Sequence, residues 1–148
     1  MYKHILVAID GSATSTKAVN EAIRLAQVHK STLRLLHVVD TAMIDIDNGG
    51  MTYMPEVMDT LRQSGIKLLQ QVQTHVEKSG VSAETALLET AGVTRIATEV
   101  VDDAKKWPAD LIVLGTHGRR GFAHLLLGSV AEDIVRMASV PVLLIRGE

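Results

Sequence analysis

Leu111-Ile112-Val113-Leu114-Gly115-Thr116-His117-Gly118-Arg119-Arg120-Gly121, continued by Phe122 to Leu127 and then Gly128-Ser129, is the stretch on which the reading of this chain turns. Four apolar residues in a row suit a strand buried on both faces, as in a parallel sheet covered by helices. The run ends on Gly115, glycines follow, and a helix is expected from about Ser129 to Ala138, with Val130, Ile134 and Met137 inward. A strand handing over to a helix through a glycine loop is the repeating step of an α/β sheet.

Outward from this stretch the same step recurs. Ile5–Ile9, Leu33–Val39, Ala83–Leu88 and Val140–Ile145 are further short apolar runs; the third is broken by Glu84, Thr85 and Glu89, which an edge strand tolerates. Between the runs the apolar period becomes helical. Val19, Ala22, Ile23 and Ala26 form one stripe, with Ser12 and Thr14 as capping candidates. Leu61, Leu68, Leu69, Val72 and Val76 form a second, closed by Gly80; Val93, Ile96, Ala97, Val100, Val101 and Ala104 form a third, stopped by Trp107-Pro108. The order β-α-β-α-β-α-β-α-β implies right-handed crossovers and a doubly wound, five-stranded parallel sheet with helices on both faces. A flavodoxin-like order 2-1-3 and a Rossmann-like order 3-2-1-4-5 both fit the alternation. In either, ligands bind beyond the carboxyl ends of the strands at the switch point, which singles out the loops after strands one, two and four.

The 148 residues suit one domain, 1–148, and no repeat or linker divides them. A net charge of −2 gives no general attraction to nucleic acid or anionic lipid. Without cysteine there is no disulfide, thiolate metal site or thiol catalysis, which accords with a reducing compartment. The apolar run after Met1 is too short for a signal-peptide core, and no 18 consecutive apolar residues occur, so a cytoplasmic protein without a membrane span is expected.

The loop after the fourth strand has the chemistry of an anion cradle. Glycines let backbone N–H groups approach an anion closely, and a helix N-terminus adds free N–H groups and a positive dipole end. Ser129 contributes a hydroxyl, and Arg119 or Arg120 a charge. Known phosphate motifs fit poorly: no lysine precedes Ser129 as in the P-loop, and Asp10-Gly11-Ser12 stands where a dinucleotide fingerprint would follow the first strand. A receiver domain would cluster acids there and place a lysine after the last strand, where Arg146 stands.

The spacing Gly115-x2-Gly118-x9-Gly128-Ser129 resembles the ATP-binding loop of universal stress proteins. Met1 to Ser12 is similar to that family's first strand and terminal aspartate, Leu36-His37-Val38-Val39 to its second strand, and Ser139 to Ile145 to its last. The resemblance implies the order 3-2-1-4-5 and a bound ATP, or AMP, with Mg²⁺. It places Asp10 on the ribose and within reach of the metal, Val38 on the adenine through its backbone, and Ala8 in the same pocket. Gly115, Gly118, Arg119, Gly128, Ser129 and Val130 then surround the phosphates. Some members carry proline where Ala8 stands, a change that a backbone contact survives. The resemblance also implies a homodimer through the final strand, Val140–Ile145, and a nucleotide-dependent regulatory or stress-response role on a protein partner such as a transporter.

Two other readings compete. A slow ATP hydrolase or phosphoryl transferase would need a residue to orient the nucleophile, for which His117 is the loop's only candidate. A nucleotide-free scaffold would not need the glycines that this chain keeps. His117 and His124 are read as structural or solvated, since the six histidines lack metal-ligand spacing. Asp45, Asp47, Gly50 and Glu56 sit at calcium-loop positions, but Gly49 and Pro55 break the pattern. The irregular stretch Asp40–Glu56 is read as a flap, with Met43, Met51, Met54 and Met58 packing over the pocket or a partner.

Overall fold

In a computed structural model, residues 1–41, 55–90, 95–117 and 127–147 are described. The elements alternate as β1 (His4–Ala8), α1 (Ala13–His29), β2 (Thr32–Val39), α2 (Pro55–Lys78), β3 (Ser82–Glu89), α3 (Ile96–Lys106), β4 (Leu111–Gly115), α4 (Ser129–Met137) and β5 (Val142–Ile145). All five strands are parallel, in the order β3-β2-β1-β4-β5, so the flavodoxin-like alternative is excluded. β1 lies between β2 and β4, with Val7 opposite Leu35 on one side and Val113 on the other.

The alternating side chains build two cores. Ile5, Val7, Leu33, Leu35, Leu111 and Val113 face α1 and α2, meeting Val19, Ile23, Leu69 and Val76. Leu6, Leu36, Ile112 and Leu114 face α3 and α4, meeting Val100, Val101, Ala131 and Ile134. Near-continuous apolar runs follow directly from burial on both faces. α2 comes especially close to the sheet at Gly65, where an added Cβ would lie 2.8 Å from both His37 and Leu87. His37 occupies that gap and bonds through Nδ1 to the Ile9 carbonyl at 2.7 Å.

Several expectations shift by local physics. Ser12 caps α1 by accepting from the Ser15 N–H, whereas Thr14 lies inside the first turn. α2 begins at Pro55, within the stretch expected to be irregular; proline is pre-organised for the first helical position. Met58 is therefore not part of a flap but is buried on α2 at 1% exposure, while Met43, Met51 and Met54 and the calcium-like pattern up to Gly50 lie outside the described residues. Val93 lies outside them as well. On α4 the buried stripe is Ala131 and Ile134 with Ala138 beyond, and Met137, roughly a quarter-turn off it at 100° per residue, is 43% exposed. β5 begins at Val142 rather than Val140.

β3 is an edge strand, and the interrupting Glu84 has a partner. It faces Arg34 across the β2–β3 register and bonds to it at 3.1 Å. Arg34 also grips the buried Asp103 of α3 through Nε at 2.7 Å and Nη2 at 2.9 Å, and stacks 5.8 Å from the Trp107 ring. The contact is bidentate, which matches the guanidinium fork to the carboxylate and raises the Arg34 guanidinium above its ordinary value. No helix among the described residues is long and apolar enough to cross a membrane.

The start of β1 is tied down by Asp110, which accepts the N–H groups of Lys3 at 2.6 Å and His4 at 2.8 Å. The His4 amide first, and then the Lys3 amide, hold the Asp110 carboxyl below its ordinary value of 3.8. A carboxyl lowered on folding contributes stability above its unfolded value and loses it as pH falls through the folded one. Asp110→Asn is therefore expected to flatten the loss of stability on acidification below about pH 4, measured by urea denaturation across pH. An unchanged acid limb would remove Asp110 from the account.

Candidate functional site

The sheet reverses its winding between β1 and β4, and the carboxyl ends of these two strands open the crevice that the topology provides for a ligand. β1 leads through Ile9 to Asp10, and the ladder continues past the strand because the Ile9 N–H donates to the Leu36 carbonyl at 2.8 Å. Gly11 then takes φ +82°, a conformation glycine adopts freely, and turns the chain into α1. The half-buried Asp10 carboxylate accepts the Ser12 N–H through Oδ1 at 2.9 Å, and the Asp10 N–H donates to Ser15 Oγ at 3.2 Å. Asp10 is thus held rigidly at the tip of β1. Ala8 and Val38 lie half-buried on the α3 side of the sheet with Ala86, Leu88 and Ile96, which makes an apolar floor beside the carboxylate.

On the other strand, Gly115 is a glycine because there is no room for anything else: an added Cβ would stand 2.8 Å from Thr14 Cβ and 3.0 Å from its backbone carbon. Thr116, buried at 7% exposure, carries the connections that follow. Its N–H donates to the Ile145 carbonyl at 2.9 Å, and its carbonyl accepts the Gly128 N–H at 2.8 Å. Thr116 and Gly128, which flank the glycine loop in sequence, therefore meet directly. Gly128 is the N-cap of α4 without a side-chain cap, so the first-turn amides that follow, at Ser129 and Val130, are unclaimed by any capping side chain. Those amides and the α4 dipole suit an anion.

His117 is more constrained than its sequence context suggests. Its carbonyl accepts the Thr14 hydroxyl, its Nδ1 pairs with Thr116 Oγ1 at 2.9 Å, and its Nε2 is buried without a partner. Gly118, Arg119, Arg120 and His124 lie outside the described residues. Asp10 and Gly115 thus lie at the carboxyl ends of β1 and β4, Gly128, Ser129 and Val130 at the start of α4, and Ala8 and Val38 on the α3 side of the sheet. Sequence reasoning missed Thr116, and it read Thr14 only as a cap. Among the described residues no three His, Asp or Glu side chains gather to hold a metal ion; one carboxylate with substrate phosphates would suit Mg²⁺ instead.

Comparison with known proteins agrees with this architecture. Residues 1–146 match the family model described as "Universal stress protein family". The universal stress protein YxiE of Bacillus subtilis is 32% identical, over 99% of this chain and 100% of the relative. A crystal structure of a universal stress protein family member from Burkholderia pseudomallei superposes with a TM-score of 0.77 at 33% identity, covering 97% of this chain and 96% of that one. A universal stress protein from Archaeoglobus fulgidus, solved in complex with dAMP, shares the fold at a TM-score of 0.69 and 24% identity, covering 97% of this chain and 98% of that one.

The closure at Gly128 is directly testable. A Cβ there would lie 2.9 Å from the Thr116 carbonyl oxygen, the atom that the Gly128 N–H must reach. Gly128→Ala is expected to cost about 1–3 kcal/mol in urea denaturation, against less than about 0.5 kcal/mol for the exposed neighbour Ser129→Ala. Equal, small losses would show that the closure carries no strain on substitution.

Proposed function

The chain belongs to the universal stress protein family, and from that premise we propose that it binds ATP with Mg²⁺ in the β1/β4 crevice and acts as a nucleotide-dependent regulatory protein. The observation that carries the reading is the placement of the Asp10 carboxylate, fixed by the Ser12 amide at the end of β1, together with the Thr116–Gly128 contact that sets the start of α4 at the end of the neighbouring β4. A carboxylate is the natural acceptor for ribose hydroxyls, and a row of free amides is the natural donor set for phosphates. Asp10 takes the ribose, the Val38 backbone and Ala8 take the adenine, and Gly115, Gly118, Arg119, Gly128, Ser129 and Val130 take the phosphates. Mg²⁺ would ride on the triphosphate, with Asp10 as a carboxylate ligand. AMP uses the same base and ribose contacts and forgoes the outer phosphate contacts.

The regulatory output follows from differential binding: ATP shifts the protein toward the conformation or assembly that holds it more tightly, and a cytoplasmic partner such as a transporter reads that state. Titration calorimetry with ATP and Mg²⁺ tests the site. Saturable binding below a millimolar is expected, and Asp10→Ala is expected to weaken it by roughly 1.5–3 kcal/mol, the worth of hydrogen bonds to a charged group. No binding at millimolar nucleotide would remove the assignment and favour a scaffold.

The assembly we propose is a homodimer through the segment Val140–Ile145. The carbonyls of Pro141 and Ile145 accept from Ile112 and Thr116, so strand alternation turns the peptide groups of Val142 and Leu144 toward the open edge. Proline is tolerated where a strand N–H faces outward. Leu144→Pro is expected to convert a dimer to a monomer in sedimentation velocity with little change in circular dichroism; a persistent dimer would put the interface elsewhere.

A further inference from the structure

Three segments converge on one small side chain. Thr14, in the first turn of α1 and only 8% exposed, presents its Cβ and backbone to Gly115, its methyl to Gly147 and its hydroxyl to His117. An added Cβ on Gly147 would come within 3.0 Å of the Thr14 methyl, which measures how closely the chain beyond β5 is seated. The loop's first residues are otherwise held through backbone, by Ile145 and Gly128 on either side of Thr116.

The direction of the hydrogen bonds follows from the chemistry of the atoms. The His117 carbonyl can only accept, so the single Thr14 hydroxyl proton points to it. The contact of 3.2 Å between Ser12 Oγ and Thr14 Oγ1 must then have Ser12 as donor, while Ser12 Oγ accepts the Ser15 N–H at 3.1 Å. Ser12 in turn gives its own N–H to Asp10. Ser12 therefore donates in two directions, through its N–H to the carboxylate at the tip of β1 and through its hydroxyl to Thr14, which passes its own proton to the carbonyl of His117.

We propose that Thr14 is a positioning residue for phosphate binding: its hydroxyl holds the His117 carbonyl next to Thr116, whose own carbonyl receives the Gly128 N–H at the start of α4, whereas its methyl serves packing against Gly147. This rests on the nucleotide reading above, and it separates two functions within one side chain. Thr14→Val keeps the shape and removes the donor; Thr14→Ser keeps the donor and removes the methyl.

Titration calorimetry with Mg²⁺-ATP and with adenosine, on wild type and both variants, tests it, with circular dichroism melts confirming folding. Thr14→Val is expected to lose roughly three- to tenfold in ATP affinity, with adenosine affinity unchanged. Thr14→Ser is expected to match wild type for both ligands. Equal ATP affinity in wild type and Thr14→Val overturns the proposal, as does a loss shared equally by ATP and adenosine. Should Thr14→Val not fold, Thr14→Ala against Thr14→Ser reads the same hydroxyl, and equal ATP affinity in those two overturns it. A wild type that binds neither ligand overturns the nucleotide reading along with this one, whereas failure of the inference alone leaves wild-type ATP binding intact.

Discussion

The complete burial of β1 is the constraint on which the rest depends. Ile5, Leu6 and Val7 have no exposed surface, and the strand is hydrogen-bonded on both edges. A strand enclosed in this way must be apolar on both faces, must have helices above and below, and must deliver the chain to its carboxyl end before any polar side chain is affordable. Asp10 is the first acidic group after that strand, and its place at the crevice follows from this enclosure. β4, the other neighbour at the switch, is enclosed likewise, with Leu111 to Leu114 buried. The crevice therefore opens beyond two buried strands that pair directly with one another.

Polar groups inside the fold are handled by pairing. Asp103, in the apolar surroundings of α3, is answered by Arg34 from β2, which in turn engages Glu84 at the edge. Removing Arg34 would leave the buried Asp103 carboxylate uncompensated, costing about 3–5 kcal/mol, whereas Arg34 without Asp103 would keep Glu84. At the other end of the sheet, Thr41 donates its N–H to Thr90 Oγ1 at 2.9 Å and its hydroxyl to the Thr90 carbonyl at 3.0 Å, clasping the exits of β2 and β3. The floor formed by Ala8 and Val38 thus lies between a clasp on one side and the Asp10 turn on the other.

Much of this was legible in the residues. Five apolar runs mark five strands, since burial on both faces leaves a continuous signature that a short segment can carry. Glu84 correctly marked an edge. Asp10, Gly115, Gly128 and Ser129 stood out because their requirements are local: the end of a strand, a close approach, the start of a helix. Thr14 and Thr116 did not, because their roles exist only where the start of α1 meets the end of β4, 103 residues further along the chain at the Thr14–His117 contact. Met137 and Val140 were misplaced for a related reason. α4 is short, and which of its apolar residues turn inward depends on how the helix is rotated against the sheet. Val140 is apolar because it packs on the α3–α4 side ahead of the strand rather than within it.

The two margins of the sheet differ in character. β3 carries exposed Glu84 and Thr85, whereas β5 is Val142-Leu143-Leu144-Ile145, half-buried throughout. Charge on an edge discourages strand addition, and an apolar edge invites it. A sheet with one receptive margin can pair once about a twofold axis, after which both receptive margins are consumed. Such asymmetry is a counting device: it permits finite association and denies the head-to-tail propagation that leads to fibres.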